Sequence, residues 1–203
     1  MRSVTLVGLF IVLLIGADLA YAQRPASPRG ETATQIGGEY EGRRYTGGKW
    51  VVVDYGRPIL RGRTGIFGEG DSYGETANGG APVWRAGANK STRFMTEADL
   101  TFGDATLPAG EYSLFVDLKA DGWTLIFSNH AAKDSFREAG DGLWGSYNYT
   151  ADKDVLRVPM MVSEQSTSFD QFTISFINMT KVGGTLAMMW ETTMATVDFS
   201  LAQ

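Results

Sequence analysis

Tyr112-Ser113-Leu114-Phe115-Val116-Asp117-Leu118-Lys119-Ala120-Asp121-Gly122-Trp123-Thr124-Leu125-Ile126-Phe127-Ser128 reads as two strands joined by a tight turn. Large apolar residues stand at every second position before the turn (Tyr112, Leu114, Val116, Leu118) and again after it (Trp123, Leu125, Phe127). Ser113, Asp117 and Thr124 take alternate places. Successive side chains of an extended strand point to opposite faces, so a period of two sets one face against a core and the other in water. Ala120-Asp121-Gly122 supplies the turn residues a hairpin connection needs.

The same alternation recurs outward in both directions. It is carried by Val51, Val53 and Tyr55, by Leu156, Val158, Met160 and Val162, and by Phe172, Ile174 and Phe176. It ends with Leu186, Met188 and Trp190, then Val197, Phe199 and Leu201. Turn signals punctuate these runs at Pro108-Ala109-Gly110, Asp152-Lys153-Asp154 and Gly183-Gly184. The pattern predicts an all-β domain, an antiparallel β-sandwich or partly closed barrel of roughly 9–11 strands. At most one short helix is expected, over about 131–139, with Asn129 as its cap and Gly140 as its stop. The glycine-rich stretch from Gly62 to Gly80 is expected to be a long surface excursion.

Ahead of the domain, Arg2 precedes an apolar stretch from Val4 to Ala17, followed by Ala20-Tyr21-Ala22. This is the three-part layout of a secretory signal peptide over residues 1–22, and the stretch is shorter than the ~20 residues a membrane-spanning helix needs. Residues 23–48, rich in Pro, Ser, Gly, Arg and Glu, are expected to be a flexible leader with an edge strand over Glu31 to Ile36. Residues 49–203 are expected to form the β-sandwich domain. The expected product is exported, periplasmic or secreted, soluble, and without a transmembrane segment after cleavage.

Composition narrows the chemistry. There is no cysteine, which excludes disulfides, thiolate ligands and a cysteine nucleophile. The net charge of −5 argues against nucleic acid as a partner. A single histidine, His130, rules out zinc sites built on several imidazoles and reads as a surface residue. Glu69, Asp71, Glu75 and Glu97 could offer oxygen to calcium, but no run of the calcium-loop type fixes them, and neither a metal site nor a cofactor is expected. Gly70-Asp71-Ser72-Tyr73-Gly74 has the spacing of a nucleophile elbow without the strand and helix that motif requires. Asn89, Asn148 and Asn178 head N-x-[ST] triplets, which matter only in a glycosylating pathway.

Arginine, asparagine and aromatic residues concentrate in two windows. One runs from Asp54-Tyr55-Gly56-Arg57-Pro58 through Arg61-Gly62-Arg63 to Val83-Trp84-Arg85-Ala86-Gly87-Ala88-Asn89; the other is Leu143-Trp144-Gly145-Ser146-Tyr147-Asn148-Tyr149. A guanidinium grips carboxylate, sulfate or phosphate with two donors at once, and flat aromatic faces stack on sugar rings or on the guanidinium itself. Arg57, Arg63, Trp84, Arg85, Asn89, Trp144 and Tyr147 are therefore the candidate ligand-binding residues. The same residues also have a purely architectural reading, with Arg57 and Arg85 paired to Asp54 or Glu111 and the aromatic rings capping the open ends of the sandwich.

These windows, together with Ile66-Phe67-Gly68, Leu107 to Phe115 and Asp154-Val155-Leu156-Arg157-Val158, resemble a bacterial family known as domain of unknown function 2911. The pieces follow the family's order and cover most of the chain from Trp50 onward, and Trp84-Arg85-Ala86-Gly87-Ala88-Asn89 is the most specific of them. The resemblance implies an exported, envelope-associated domain and brings no catalytic residue or cofactor with it. The chain departs from the pattern before Trp84, where Glu75 to Pro82 is an added segment.

Three functions fit these observations. The first is a non-catalytic binding module for a polar or anionic small molecule or glycan. The second is an envelope structural or assembly component contributing a sheet edge. The third is a glycoside hydrolase working through two carboxylates, for which Asp54 and Glu111 are the candidates.

Overall fold

Alternating apolar residues build strands wherever they were expected. The computed structural model describes residues 25–203, so the signal peptide expected over 1–22 and the start of the leader lie outside the described residues. In chain order the strands are β1 (Arg29–Ile36), β2 (Glu39–Glu41), β3 (Arg44–Thr46), β4 (Lys49–Gly56), β5 (Thr92–Thr96), β6 (Leu100–Phe102) and β7 (Ala105–Leu107). They continue with β8 (Gly110–Lys119), β9 (Gly122–Ser128), β10 (Asp154–Ile177) and β11 (Gly183–Leu201). Nine of them join in one antiparallel sheet, in the order β1-β4-β5-β8-β9-β10-β11-β6-β7, while β2 and β3 pair as a separate hairpin. The edge strand expected from Glu31 begins at Arg29 and pairs with β4 along its whole length.

One sheet becomes two layers because β10 and β11 are long, at 24 and 19 residues, and bent. The start of β10 pairs with β9 up to Met160, opposite Trp123; beyond that point it continues with β11. Register shifts between Glu164, Phe169 and Thr173, with Glu191 in the left-handed region at φ 54°, mark bulges that turn the ribbon. After the bulges β10 comes back over the first layer, where Ile59 bridges to Gln171 and the Phe172 amide donates to the Pro58 carbonyl at 2.9 Å. The seam is stitched here and not closed all round, which places the fold between the sandwich and the barrel. Val162, expected to point inward, is exposed, because the ribbon has left the first layer at that point.

Between the layers lies an aromatic core. Phe172 on β10 stands edge-on to Tyr55 on β4 at 5.7 Å, and Phe102 on β6 meets Phe127 on β9 at 4.9 Å. Trp84 is 1% exposed and sits among Phe67, Trp123, Phe172 and Trp190, stacked on the last with an interplanar angle of 8°. Such pairs add about 0.5–1.5 kcal/mol each to the area they bury.

A second, smaller cluster explains why β8 and β9 are buried on both faces. Phe115 and Ile126, which break the polar alternation of the outer face, are covered by Val83, Leu143 and Tyr149 from loops. The loop carrying Leu143 and Tyr149 holds no helix over 131–139, contrary to expectation. The only large apolar residue there, Phe136, is 72% exposed, so that segment has no face to bury and no packing to pay for helical order. Among the described residues the one α-helix, the single turn α1 (Glu75–Asn78), lies instead in the glycine-rich excursion. That excursion is not wholly superficial, because Ile66 and Phe67 are buried in the core and anchor it.

His130 is also buried rather than superficial. Its Nε2 lies 3.0 Å from the Thr150 carbonyl oxygen and 3.2 Å from the Thr150 amide, so the ring holds the two ends of the covering loop together. Nearby, Tyr149 donates to Asp154 at 2.6 Å. Burial and then that hydrogen bond push its phenol well above the ordinary tyrosine range, which keeps it a neutral donor.

Candidate functional site

The turn after Trp84 owes its shape to close packing. Ala86 and Asn89 both adopt left-handed backbone, at φ 47° and 65°. Thr92 Oγ1 donates to the Ala86 carbonyl at 2.9 Å, and the Ala88 amide donates to the Gly56 carbonyl at 3.2 Å. The turn approaches the end of β4 so closely that only glycine fits at position 56. A Cβ there would lie 1.9 Å from the Ala88 carbonyl oxygen.

Arg85 is oriented from three sides. Its Nη1 donates to the Asn89 carbonyl at 2.9 Å, and its guanidinium carbon lies 5.4 Å from the centre of the Tyr147 ring, a cation–π distance. Gly145, at φ 70°, lets the guanidinium lie directly against the backbone, and a Cβ there would come within 2.5 Å of Nη1. The buried Ser91 hydroxyl, placed by Leu143 and Gly145 carbonyls at 3.1 and 2.5 Å, ties this loop to the Trp84 turn. Windows about sixty residues apart in sequence thus meet at one guanidinium.

A cavity of about 290 Å³ opens beside it, lined by Arg63, Trp84, Arg85 and Asn89 together with Thr76 and Trp190. No carboxylate lines it. Arg63 spends two donors on its own loop, Nε to the Leu60 carbonyl at 3.0 Å and Nη2 to that of Ile59 at 2.8 Å. Among the described residues neither Arg63 nor Arg85 forms an ion pair. The pairing with Asp54 or Glu111 that the sequence allowed for Arg85 and Arg57 is not made.

Not every candidate gathers here. Arg57 is consumed elsewhere, donating to the Phe172 carbonyl at 3.2 Å and the Thr173 hydroxyl at 3.0 Å, and so fastens the end of β4 to β10. Tyr147 braces Arg85 from outside, and Trp144 lines a neighbouring cavity. Trp190 and Thr76 join the site without having been candidates. Trp190 carried only the signal of an inward strand residue, and Thr76 lies in the added segment.

Asp54 and Glu111 are both engaged. Glu111 is exposed and lies 3.6 Å from Arg93. Asp54 sits between Lys90 and Arg29, the latter at 2.9 Å. Burial works to raise its carboxyl, but hydrogen bonds and charge from Lys90 and Arg29 outweigh burial and hold it below the ordinary range, so it stays ionised and cannot serve as an acid. A carboxyl depressed in the folded state stabilises the fold above its unfolded value, about 4, and loses that contribution as pH falls through the folded value. Asp54→Asn should therefore lower stability at neutral pH and flatten its decline below about pH 4. Urea melts across that range check this, and an unchanged slope would contradict it.

Ser72 is exposed on a 3-10 turn and donates to the Glu69 carbonyl at 2.9 Å, so the residues flanking it form no nucleophile elbow. Among the described residues no three His, Asp or Glu side chains converge as metal ligands. No helix there is long and apolar enough to cross a membrane.

Over residues 39–199 the chain matches the model of a family described as Protein of unknown function (DUF2911). No curated protein and no solved structure matches it.

Proposed function

Because the chain belongs to the DUF2911 family, which offers no activity to carry over, we propose its function from the geometry: it is a binding module for a small anion. In this reading the mature protein works outside the cytoplasm after residues 1–22 are removed, and the cavity between Arg63 and Arg85 holds the ligand. The observation that carries the reading is a cavity with two guanidiniums and no carboxylate. Arg85, left without an internal carboxylate and already braced by Tyr147 and Gly145, is pre-organised for an anion brought from outside. Trp84 and Trp190 give an apolar floor against which a carboxylate, sulfate or phosphate group is read with less competition from water. At about 290 Å³ the cavity suits a small ligand.

Thermal melts of the purified protein with acetate, glucuronic acid, sulfate and phosphate, at constant ionic strength, test the proposal. A ligand selective for the folded state adds about 2.7 kcal/mol at a hundred times its Kd. At least one of these anions should raise the Tm saturably, and Arg85→Ala should abolish the rise while moving the ligand-free Tm by only a few degrees. Stabilisation that does not exceed a chloride control, or that survives Arg85→Ala, would overturn the assignment.

A further inference from the structure

A second cavity, of about 240 Å³, adjoins the first and shares Ser27, Ala88 and Asn89 with it. Those shared residues stand between the two. Asn89 Nδ2 donates to the Ser27 carbonyl at 3.2 Å, and the same Asn89 accepts from Arg85 through its own carbonyl.

The two cavities differ in charge. Arg29 and Lys90 line the second, but Asp54 answers both and Glu31 lies 3.3 Å from Arg29, so the cluster is balanced. What the second cavity offers beyond that is the half-buried indole of Trp144, with Tyr55 also in its lining, and polar groups at its rim. A flat apolar wall ringed by hydrogen-bonding groups suits an uncharged sugar ring, whose one face is C–H and whose edge is hydroxyl. Next to it stands the cationic cavity without acids.

We propose that the two cavities form one cleft, and that its ligand is an acidic disaccharide, with a uronic acid ring held at Arg63 and Arg85 and a neutral sugar ring laid on Trp144. Asn89 then lies at the linkage, where its amide meets both rings. This inference rests on the anion reading of the first cavity and adds to it the ligand's class and length.

Three probes separate the two claims: glucuronic acid, cellobiose, and the disaccharide of glucuronic acid joined to glucose, each titrated calorimetrically into the purified protein. The acidic disaccharide should bind at least about tenfold tighter than glucuronic acid, a difference of about 1.4 kcal/mol, and cellobiose should bind far more weakly than either. Trp144→Ala should bring the preference for disaccharide over monosaccharide down to about one, with Trp144→Phe keeping most of it. Equal affinity for the acidic monosaccharide and disaccharide, or a preference untouched by Trp144→Ala, would overturn the cleft while leaving the anion site standing. Stabilisation by phosphate or sulfate in the thermal melts, with no calorimetric response to either uronic acid probe, would overturn the saccharide alone. No response to any anion would overturn both.

Discussion

Trp84→Ala is expected to cost about 3–5 kcal/mol of folding stability, the range for emptying a fully buried aromatic position, and to lower the Tm by roughly 6–20 °C for a domain of this size. Trp84 is 1% exposed, and four aromatic rings from the loop after β4 and from β9, β10 and β11 meet on it. Those rings come from both layers, so their contacts cannot all be regained by one layer settling toward the other. The cost therefore sits near the upper end of a large-to-small substitution. Urea unfolding followed by circular dichroism measures it, with Trp84→Phe as a partner variant that keeps an aromatic ring and should lose markedly less. Should alanine be too unstable to isolate, the phenylalanine variant still reports. A loss below about 1 kcal/mol for Trp84→Ala would mean that the layers do not meet on this ring.

The second large effect is expected from a single methyl group. Gly56→Ala places a Cβ 1.9 Å from the Ala88 carbonyl oxygen, a backbone atom that no rotamer change can move aside. Relief requires the whole turn from Ala86 to Asn89 to shift outward, breaking the Ala88 to Gly56 hydrogen bond. We expect a loss of about 3 kcal/mol, the upper part of the overpacking range. Because that turn carries Arg85 and Asn89, the anion-dependent rise in Tm should vanish with it. Gly122→Ala, where no atom lies within 4 Å of the new Cβ, is the control and should stay within about 0.5 kcal/mol of the parent. A Gly56→Ala protein as stable and as responsive as the parent would show the turn to be held elsewhere.

The contrast between these two positions shows what could be read in advance. Trp84 was legible as an aromatic residue in a window of arginines, and that company suggested the wall of a site. It turned out to be both wall and core, because the ring is buried between the layers and also belongs to the cavity lining. Gly56 was invisible. A glycine in Asp54-Tyr55-Gly56-Arg57-Pro58 looks like any strand end until the partner backbone is known. Arg57 and Arg85 looked alike in sequence, yet one fastens β4 to β10 and the other faces a cavity. Their fates depend on which acceptors the returning strand β10 happens to present.

Local order was set along the chain itself. Period-two alternation makes a residue's inward or outward direction a property of its own strand, so the all-β class and the long strands follow from neighbours in sequence, whereas the short strands β2, β3, β5, β6 and β7 were not legible there. Where β10 bends, how far it returns over β4, and which loop covers Phe115 and Ile126 depend on contacts between residues far apart along the chain. Those contacts place Tyr147 and Gly145 around Arg85 and leave its guanidinium without a carboxylate. A pocket is the space left between elements after they pack, and only the packed molecule decides its walls.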